Sequence, residues 1–308
     1  MGEKKIRLFE DNTRQRAKRL IKDFNSTYKL NEVSPSVHGE STHDLQTGNS
    51  PALIKEKAAA LEKKNKPKVT DFEIKEVIGI GNFGKVHYAR NKKENRPCAL
   101  KILKKESVAQ MKHVDHIINE REVLQYLSDK RRMLKEDHHY FSSTEDMTGE
   151  CPFLMEIFSS FQDKENLYFE LEYIQGCTLL SQIRQCNEDV RQGMYYYAAE
   201  VIYALGYLHQ NNIIYRDLKP ENIVLSMQER GHIKLVDFGF AKRVKNLQQR
   251  TYTNCGTPAY IAPEILRGHN GHGYEADIWS LGVLMFEISS GTTPFQAEST
   301  QGVYEKVS

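Results

Sequence analysis

The sequence of 308 residues predicts an α+β fold in two lobes, with a strand-rich part, a mainly helical part and a cleft between them. Three observations predict it. Short strand-like runs fill residues 69–175, helical periodicity dominates residues 176–308, and one pattern replaces the other near Gly176. A hydrophobic content of 39% is sufficient for a core of this size.

Two segments precede the predicted lobes. Residues 1–51 begin with a basic run and continue as a polar stretch rich in Pro, Gly and Ser, which predicts a partly disordered extension. A solvated helix is favoured for the basic run over a docking or membrane-surface segment. Residues 52–68 contain the charged, Ala-rich run ALIKEKAAALEKKNK, which predicts a linker helix ended by Pro67.

Residues 69–175 predict a five-stranded antiparallel sheet with one long helix. The first three strands are FEIKEVI, KVHYA and PCALKILKK, which are rich in β-branched and aromatic residues. The helix is HVDHIINEREVLQYL, and the last two strands are LMEIFSSF and NLYFELEYI. Between the helix and the fourth strand, the hydrophilic run 128–150 predicts an inserted loop.

Residues 176–308 predict the helical lobe. In MYYYAAEVIYALGYLH, five apolar residues recur at the spacing of one buried helix face. They are Ala198, Val201, Ile202, Leu205 and Leu208.

The stretch IGIGNFGKV, residues 78–86, contains a glycine spacing with two functional interpretations. It can open a helix that binds a dinucleotide, or it can form a hairpin that covers ATP. Strand-like runs lie on both sides, no helical pattern starts at Gly84, and no acidic residue stands at the dinucleotide distance. The flanks therefore favour the hairpin, although an ordinary surface hairpin also uses glycine.

Composition excludes several classes of function. The formal net charge is only +2, so no strong field favours nucleic acid. Five cysteines lack metal-binding spacing, which indicates reduced thiols and a soluble, intracellular protein, expected in the cytoplasm with nuclear or cytoskeletal targeting left open. No apolar run approaches about 18 residues, so neither a signal peptide nor a transmembrane segment is predicted.

Phosphoryl transfer from ATP needs a cradle for phosphates, ligands for a metal ion and a carboxylate that orients the attacking hydroxyl. YRDLKPEN offers Asp217, Lys219 and Asn222, and DFG offers Asp237 beside a glycine. These residue types at this spacing are candidates for the carboxylate and the metal ligands.

A lysine within a strand is the candidate for the phosphate cradle. In CALK, Lys101 follows the small residue Ala99 by two positions, so its amine can extend beneath the glycine hairpin. A buried lysine needs a partner, and Glu120 of the long helix can supply the carboxylate.

These motifs, in their order from Gly79 to Pro294, resemble those of eukaryotic protein kinases over about seven tenths of the chain. DLKPEN and GTPAYIAPE are similar to serine/threonine kinases, and YRD with DFGFAKRV resembles the cyclic-nucleotide-dependent branch of the AGC group, protein kinases A and G. The resemblance implies a bilobal protein-kinase fold in which the long helix is αC. It also implies ATP and Mg²⁺ as cofactors and transfer of the γ-phosphate to protein serine or threonine hydroxyls in cyclic-nucleotide-linked signalling.

The resemblance also implies a role for each matching residue. The catalytic and metal-binding set is Asp217 as base, Lys219 on the transferring phosphate, Asn222 and Asp237 on Mg²⁺, and Lys101 on the α and β phosphates with Glu120 as its partner. The ATP-binding set is Ile78, Gly79, Ile80, Gly81, Asn82, Phe83, Gly84, Lys85, Val86, Ala99, Lys101, Leu171, Glu172, Ile174 and Val224. In this set Leu171 is the gatekeeper, and the backbone of Glu172 and Ile174 meets the base.

The activation segment RTYTNCGTP places Thr253 where this branch carries an activating phosphothreonine. A phosphate adds about two negative charges, and the resemblance gives it three cationic partners, Arg216, Lys242 and His116.

Substrate recognition is expected to differ from that of protein kinase A. By resemblance Glu221, Glu287 and Thr257 contact the substrate, but Thr178 and Ala259 replace glutamates that would meet substrate arginine. We therefore expect protein substrates with a weakened preference for basic residues. A regulatory subunit or scaffold is a further expected partner.

The resemblance also predicts a C lobe truncated at Ser308, because the family continues with more helices and a tail. Glu264 would then lack its usual arginine, and either the chain is a truncated product or a partner supplies the missing surface. An alternative function follows, that of a kinase-like nucleotide-binding scaffold with little activity. The intact catalytic set favours an active enzyme.

Overall fold

The computed structural model describes residues 67–81, 84–110, 114–136, 150–185, 188–229, 231–246 and 248–308. The expectations for residues 1–66, for Asn82 and Phe83 and for residues 137–149 lie outside the described residues.

One antiparallel sheet of five strands forms the N lobe, in the order β1-β2-β3-β5-β4. The strands are β1 (Phe72–Gly81), β2 (Gly84–Asn91), β3 (Arg96–Lys104), β4 (Ile157–Gln162) and β5 (Asn166–Leu171). In its register Val86 lies opposite Lys101, and Ala99 lies opposite Leu171. The five-stranded sheet expected from the sequence is confirmed, and its register brings the glycine hairpin, the lysine and the gatekeeper position onto adjacent strands.

The N lobe also contains a short helix α1 (Lys105–Gln110) and the long helix α2 (Val114–Glu136). Helix α2 buries Val123, Leu124 and Leu127. The expectation of a loop from Ser128 is wrong as far as Glu136, because the helix continues to that residue. Lys, Arg, Met, Leu and Glu are good helix formers. The polar side chains of Ser128 and Lys130 form hydrogen bonds with other segments of the chain.

Helices dominate the C lobe. They are α3 (Leu179–Arg184), α4 (Glu188–Gln192), α5 (Met194–Gln210), α6 (Pro263–Arg267), α7 (Glu275–Ser290) and α8 (Thr300–Val307). The predicted face of α5 is buried, with Ala198, Val201, Leu205 and Leu208 at most 4% exposed and Ile202 partly buried against the same core. This face packs against α7.

Short strands line the cleft side of the C lobe. They are β6 (Gly176–Thr178), β7 (Ile213–Ile214), β8 (Ile223–Ser226), β9 (Ile233–Leu235) and β10 (Lys242–Arg243). Strands β6, β8 and β9 form one antiparallel sheet, and β10 pairs with β7. The loops between these strands hold the polar residues of the candidate site.

The largest hydrophobic cluster of the described residues runs from the N lobe into the C lobe. Leu124 and Ile157 contribute to it from above the cleft, and Tyr215 and Phe238 from below, each 0% exposed. The rings of Tyr215 and Phe238 meet edge to face with centroids 5.3 Å apart. The core therefore fixes the wall of the cleft behind the catalytic loops.

An open, largely apolar pocket of about 840 Å³ lies on α7, lined by Trp279, Val283 and Phe286, with Glu264 and Arg250 also contributing. No residue expected at the nucleotide or catalytic site lines it. In the part of the chain that the structure describes, no helix combines the length and apolarity needed to cross a bilayer.

Candidate active site

The carboxylate of Asp217 is the centre of the site. One of its oxygens, Oδ2, accepts a hydrogen bond from Asn222 Nδ2 at 2.9 Å and lies 2.9 Å from Lys219 Nζ. The other, Oδ1, accepts from Thr257 Oγ1 at 2.9 Å, and Lys219 Nζ also donates to that hydroxyl at 2.8 Å. Four residues singled out from the sequence thus meet at one group, which is only 4% exposed.

A second buried carboxylate holds the backbone that carries Asp217. Asp277 of α7 is 0% exposed and accepts hydrogen bonds from the backbone N–H of Tyr215 at 2.9 Å and of Arg216 at 2.7 Å. His209 Nε2 lies 2.7 Å from the same side chain. Arg216 has a φ of 66°, a left-handed conformation that costs a non-glycine residue free energy, so the Asp277 contacts maintain strained backbone here.

Lys101 of β3 and Glu120 of α2 form a buried ion pair, with Lys101 Nζ 2.6 Å and 2.9 Å from the two carboxylate oxygens. The Glu120 side chain is 1% exposed and that of Lys101 is 19% exposed. Burial opposes the charge on Lys101, but the nearby carboxylates of Glu120 and Asp237 outweigh it and raise the pKa of the lysine. Lys101 therefore stays positively charged in the cleft.

Asp237 follows β9 at a φ of 58°, and its Oδ1 accepts a hydrogen bond from the N–H of Gly239 at 3.1 Å. Its side chain is exposed, whereas Asn222 is 5% exposed and anchored on Asp217. A carboxylate and an amide supply hard oxygen donors, which divalent cations such as Mg²⁺ prefer. The donor set therefore fits a metal ion.

The residues expected to surround the nucleotide lie along the cleft. Seven belong to the β1–β2 hairpin, Ala99 is buried on β3, Leu171 is buried at the end of β5, and Val224 lies on β8. The seven are Ile78, Gly79, Ile80, Gly81, Gly84, Lys85 and Val86. At Gly84 a Cβ atom would lie 1.8 Å from the carbonyl oxygen of Ile102, so only glycine allows β2 and β3 to approach this closely.

Glu172 connects the lobes through both its backbone and its side chain. Its N–H donates to the Glu156 carbonyl at 2.8 Å, which leaves its own carbonyl oxygen as the group to accept a hydrogen bond from an adenine base. Its carboxylate lies 2.9 Å from Lys234 Nζ and accepts from the N–H of Glu156 at 3.2 Å. Sequence reasoning missed Lys234, which is 4% exposed; the available signal was a lysine within the apolar strand IKL.

The three cations expected around Thr253 contact other groups in the structure. Thr253 is exposed, whereas Arg216 Nη1 and Lys242 Nζ both donate to the hydroxyl of Thr251, each at 3.2 Å. His116 Nδ1 lies 3.2 Å from the Gly239 carbonyl. The structure thus brings Arg216 and Lys242 together around Thr251, a residue that sequence reasoning did not single out, and the role of Thr253 stays a prediction.

The residues expected to contact or recognise substrate differ in their burial and in their partners. Glu287 of α7 is 8% exposed and accepts a hydrogen bond from Tyr260, and burial together with the exposed Glu221 raises its pKa despite that bond. Thr178 accepts from the N–H of Ser181 at 3.2 Å and so caps α3. Ala259 lies in the 3₁₀ turn Pro258–Tyr260.

Comparison with known proteins agrees with this arrangement. Residues 72–308 match the family described as "Protein kinase domain". The chain is 39% identical over 287 residues to a cAMP-dependent protein kinase catalytic subunit of Arthrobotrys oligospora, an alignment that covers 93% of this chain and 48% of the relative. It is 38% identical over 291 residues to cAMP-dependent protein kinase type 3 of Saccharomyces cerevisiae, covering 88% and 66% respectively.

A human relative gives the same result. The chain is 40% identical over 237 residues to the cAMP-dependent protein kinase catalytic subunit PRKX of Homo sapiens, covering 77% of this chain and 58% of the relative. The chain spans about half the length of the curated relatives it matches. The matched region includes the glycine hairpin, the Lys101–Glu120 pair and the Asp217 cluster, and the family uses ATP with a divalent metal ion. The chain therefore belongs to the protein kinase domain family, and it is similar to cAMP-dependent protein kinase catalytic subunits, which belong to the AGC group.

Proposed function

We propose that this chain transfers the γ-phosphate of ATP to serine or threonine hydroxyls of protein substrates, in cyclic-nucleotide-linked signalling. The observation that carries the proposal is the Asp217 carboxylate, which is bonded at 2.9 Å to Lys219, Asn222 and Thr257. A scaffold without activity has no need of a charged, almost fully buried cluster, because burial of ionic groups costs stability unless their geometry is good.

In the proposed mechanism Asp217 orients the substrate hydroxyl and accepts its proton. Lys219 places positive charge beside the transferring phosphate, and Lys101, held by Glu120, binds the α and β phosphates. Asn222 and Asp237 would hold Mg²⁺, which neutralises charge on the phosphate oxygens when bound. The rate then depends on groups that are already oriented before the substrate arrives.

The proposed nucleotide site lies between the hairpin and the C lobe. Ile78, Val86 and Ala99 would contact adenine from above and Val224 from below, and Leu171 would limit the depth of the pocket. The backbone of Glu172 and Ile174 would bind the base. The remaining hairpin residues would cover the phosphates with their backbone N–H groups.

Protein substrates with a weak arginine preference are the proposed substrate class. Glu221 and Glu287 remain to attract basic residues, and Thr257 to contact the acceptor segment, but Thr178 and Ala259 carry no charge. A peptide library should therefore show weaker arginine selection than a protein kinase A catalytic subunit assayed in parallel. Strong selection of two arginines would contradict this preference.

Regulation is proposed at Thr253 and through a second chain. A phosphate on Thr253 could reach the cations Arg216 and Lys242, with His116 as the third partner. Several relatives are named catalytic subunits, which supports a regulatory subunit or a scaffold as a partner of this chain.

The activity is tested with purified protein, labelled ATP, Mg²⁺ and a basic serine peptide. Asp217→Asn should lower the transfer rate about 100-fold or more, because it removes the proton acceptor but keeps the shape. Asp189→Asn, at an exposed position on α4, is the matched control and should retain the rate. ATP binding without transfer that depends on Asp217, even after phosphorylation of Thr253, would favour the scaffold.

A further inference from the structure

The long helix α2 is attached to the C lobe by two side chains near its carboxy-terminal end. Lys130 Nζ donates to Asn211 Oδ1 at 2.6 Å, and the Tyr126 hydroxyl donates to the same oxygen at 3.4 Å. Tyr126 and Lys130 are four residues apart and therefore lie on one face of the helix. The two donors converge on a single acceptor in the other lobe.

The acceptor is itself held firmly. Asn211 follows the last residue of α5 and is 5% exposed, and its Nδ2 donates to the Tyr207 carbonyl at 2.7 Å. The Lys130 amine also lies 5.4 Å from the centroid of the Tyr207 ring. Asn211 thus presents its oxygen to α2 from a fixed position.

A third contact joins the same part of α2 to strand β10. The guanidinium carbon of Arg243 lies 3.9 Å from the centroid of the Tyr126 ring, close enough for a cation–π interaction. Strand β10 follows the DFG motif, and the side chain of Lys242 beside Arg243 contacts Thr251. Tyr126 therefore links α2 to the segment that carries Asp237.

The helical residues that follow also hold α2 to its own lobe. Ser128 Oγ accepts a hydrogen bond from the N–H of Ile157 at 3.2 Å, and Arg131 contacts Glu156 at 3.1 Å and the Cys151 carbonyl at 2.9 Å. These residues belong to the stretch in which the sequence carries its insertion between the helix and the fourth strand. The same stretch therefore contacts β4 in the N lobe and, through Lys130, α5 in the C lobe.

We propose that Tyr126, Lys130 and Asn211 form a clamp, here called the α2 clamp, which positions α2 so that Glu120 stays on Lys101. Lys130 stands ten residues after Glu120, about 15 Å along one continuous helix, so a shift at one end moves the other. The clamp residues are positioning residues, and only their catalytic consequence rests on the proposed function.

The clamp is tested first without any assay of activity, by hydrogen–deuterium exchange of the amides of residues 114–124 in the nucleotide-free protein. Lys130→Met should speed this exchange about tenfold, because a partly buried hydrogen bond from a charged group is lost. Lys164→Met, at an exposed position between β4 and β5, is the matched control and should leave the exchange unchanged. Lys130→Arg, which keeps a donor, should restore most of the protection.

Two results would overturn the clamp in this experiment. One is unchanged exchange in α2, and the other is an equal increase throughout the protein, which would indicate general destabilisation. If Lys130→Met does not fold, Tyr126→Phe removes only a hydroxyl and is measured in the same way with a smaller expected increase.

The catalytic consequence is tested by a double-mutant cycle on the KM for ATP. Lys130→Met should raise this KM severalfold in the parent chain and leave it unchanged in a Glu120→Gln background, where the ion pair is already lost. Equal increases in both backgrounds would overturn the positioning role. If the parent chain transfers no phosphate, the proposed function fails, whereas the exchange experiment still decides the clamp.

Discussion

Lys101 illustrates how much a single residue contributes to both folding and binding. Lys101→Met leaves the Glu120 carboxylate, 1% exposed, without its cation, and breaking such a buried pair costs about 3–5 kcal/mol of unfolding free energy. Urea unfolding should show this loss, and Lys101→Met combined with Glu120→Gln should recover much of it. An equal loss in both variants would contradict the prediction.

The unfolding free energy that Lys101→Met loses should depend on pH. Burial raises the pKa of Glu120, and Lys101 opposes that effect, so its removal raises the pKa further. A carboxyl with a raised pKa in the folded state binds a proton more readily there than in the unfolded chain, so a lower pH favours folding. The loss of unfolding free energy caused by Lys101→Met should therefore shrink as the pH falls. Unfolding measured at pH 8 and pH 6 should show the larger deficit at pH 8.

His272 should make the free energy of unfolding depend on pH with the opposite sign. It is 2% exposed, and burial and the cations Arg216, Lys242 and Arg250 lower its pKa from 6.5 to about 4. The folded state therefore favours neutral His272, and its contribution is present above pH 6.5 and is lost as the pH falls toward 4. The slope of unfolding free energy against pH is proportional to the number of protons taken up on unfolding, and His272→Gln should lower that number by nearly one. Chemical unfolding at a series of pH values measures the slope, and an unchanged slope would contradict the prediction.

Single residues also show which parts of the site can be predicted from a sequence. Asp217, Lys219 and Asn222 stand within six positions, so their local motif alone predicts that they meet. Thr251 and Lys234 were missed, because each acquires its meaning from a partner far along the chain, Arg216 and Glu172 respectively. The roles of the catalytic and nucleotide residues stay predictions until the variants are assayed.

Among the secondary-structure elements, the β1–β2 hairpin has the strictest requirement for glycine. Gly84→Ala should destabilise the protein by about 3 kcal/mol and raise the KM for ATP, because its Cβ would meet the Ile102 carbonyl at 1.8 Å. Gly79→Ala is the matched control, since its Cβ would lie 3.5 Å from Val86. Thermal unfolding should separate the two variants, and equal melting temperatures would contradict the close approach of β2 and β3.

Helix α2 shows why the length of an element was harder to predict than its existence. Its buried face at Val123, Leu124 and Leu127 gives a clear periodicity, whereas the residues from Ser128 to Glu136 are mostly polar. These polar residues are held by contacts with Asn211 and with β4, which a local pattern does not contain. Hydrophilic character therefore suggested a loop where the chain forms more than two further helical turns.

At the scale of the whole molecule, the contact between Glu172 and Lys234 connects the two lobes. Lys234→Met should raise the KM for ATP severalfold while costing only about 1–2 kcal/mol of stability, because Glu172 is 23% exposed and can still meet water. Glu229→Gln is the control, since it removes only the longer contact of 3.4 Å to the same lysine. Steady-state kinetics would contradict the prediction if both variants raised the KM equally.

The two-lobed arrangement was predictable because strand patterns and helical patterns occupy separate parts of the chain. The continuity of the core was harder to predict, because its residues come from distant segments and become neighbours only after folding. Examples are Leu124, Ile157, Tyr215 and Phe238. All four side chains are completely buried. The expected boundaries of the lobes stay predictions.

The left-handed backbone at Arg216 and Asp237 has a consequence for the evolution of this chain. Each such residue costs about 1–3 kcal/mol relative to relaxed backbone, so glycine or asparagine would be tolerated better there. Laboratory selection for heat resistance alone should therefore favour replacement of Arg216, beside the carboxylate proposed as the base, and of Asp237, the carboxylate proposed to bind the metal. Thermal tolerance and turnover would be in direct conflict at these two positions, and a screen that rewards both should keep them unchanged.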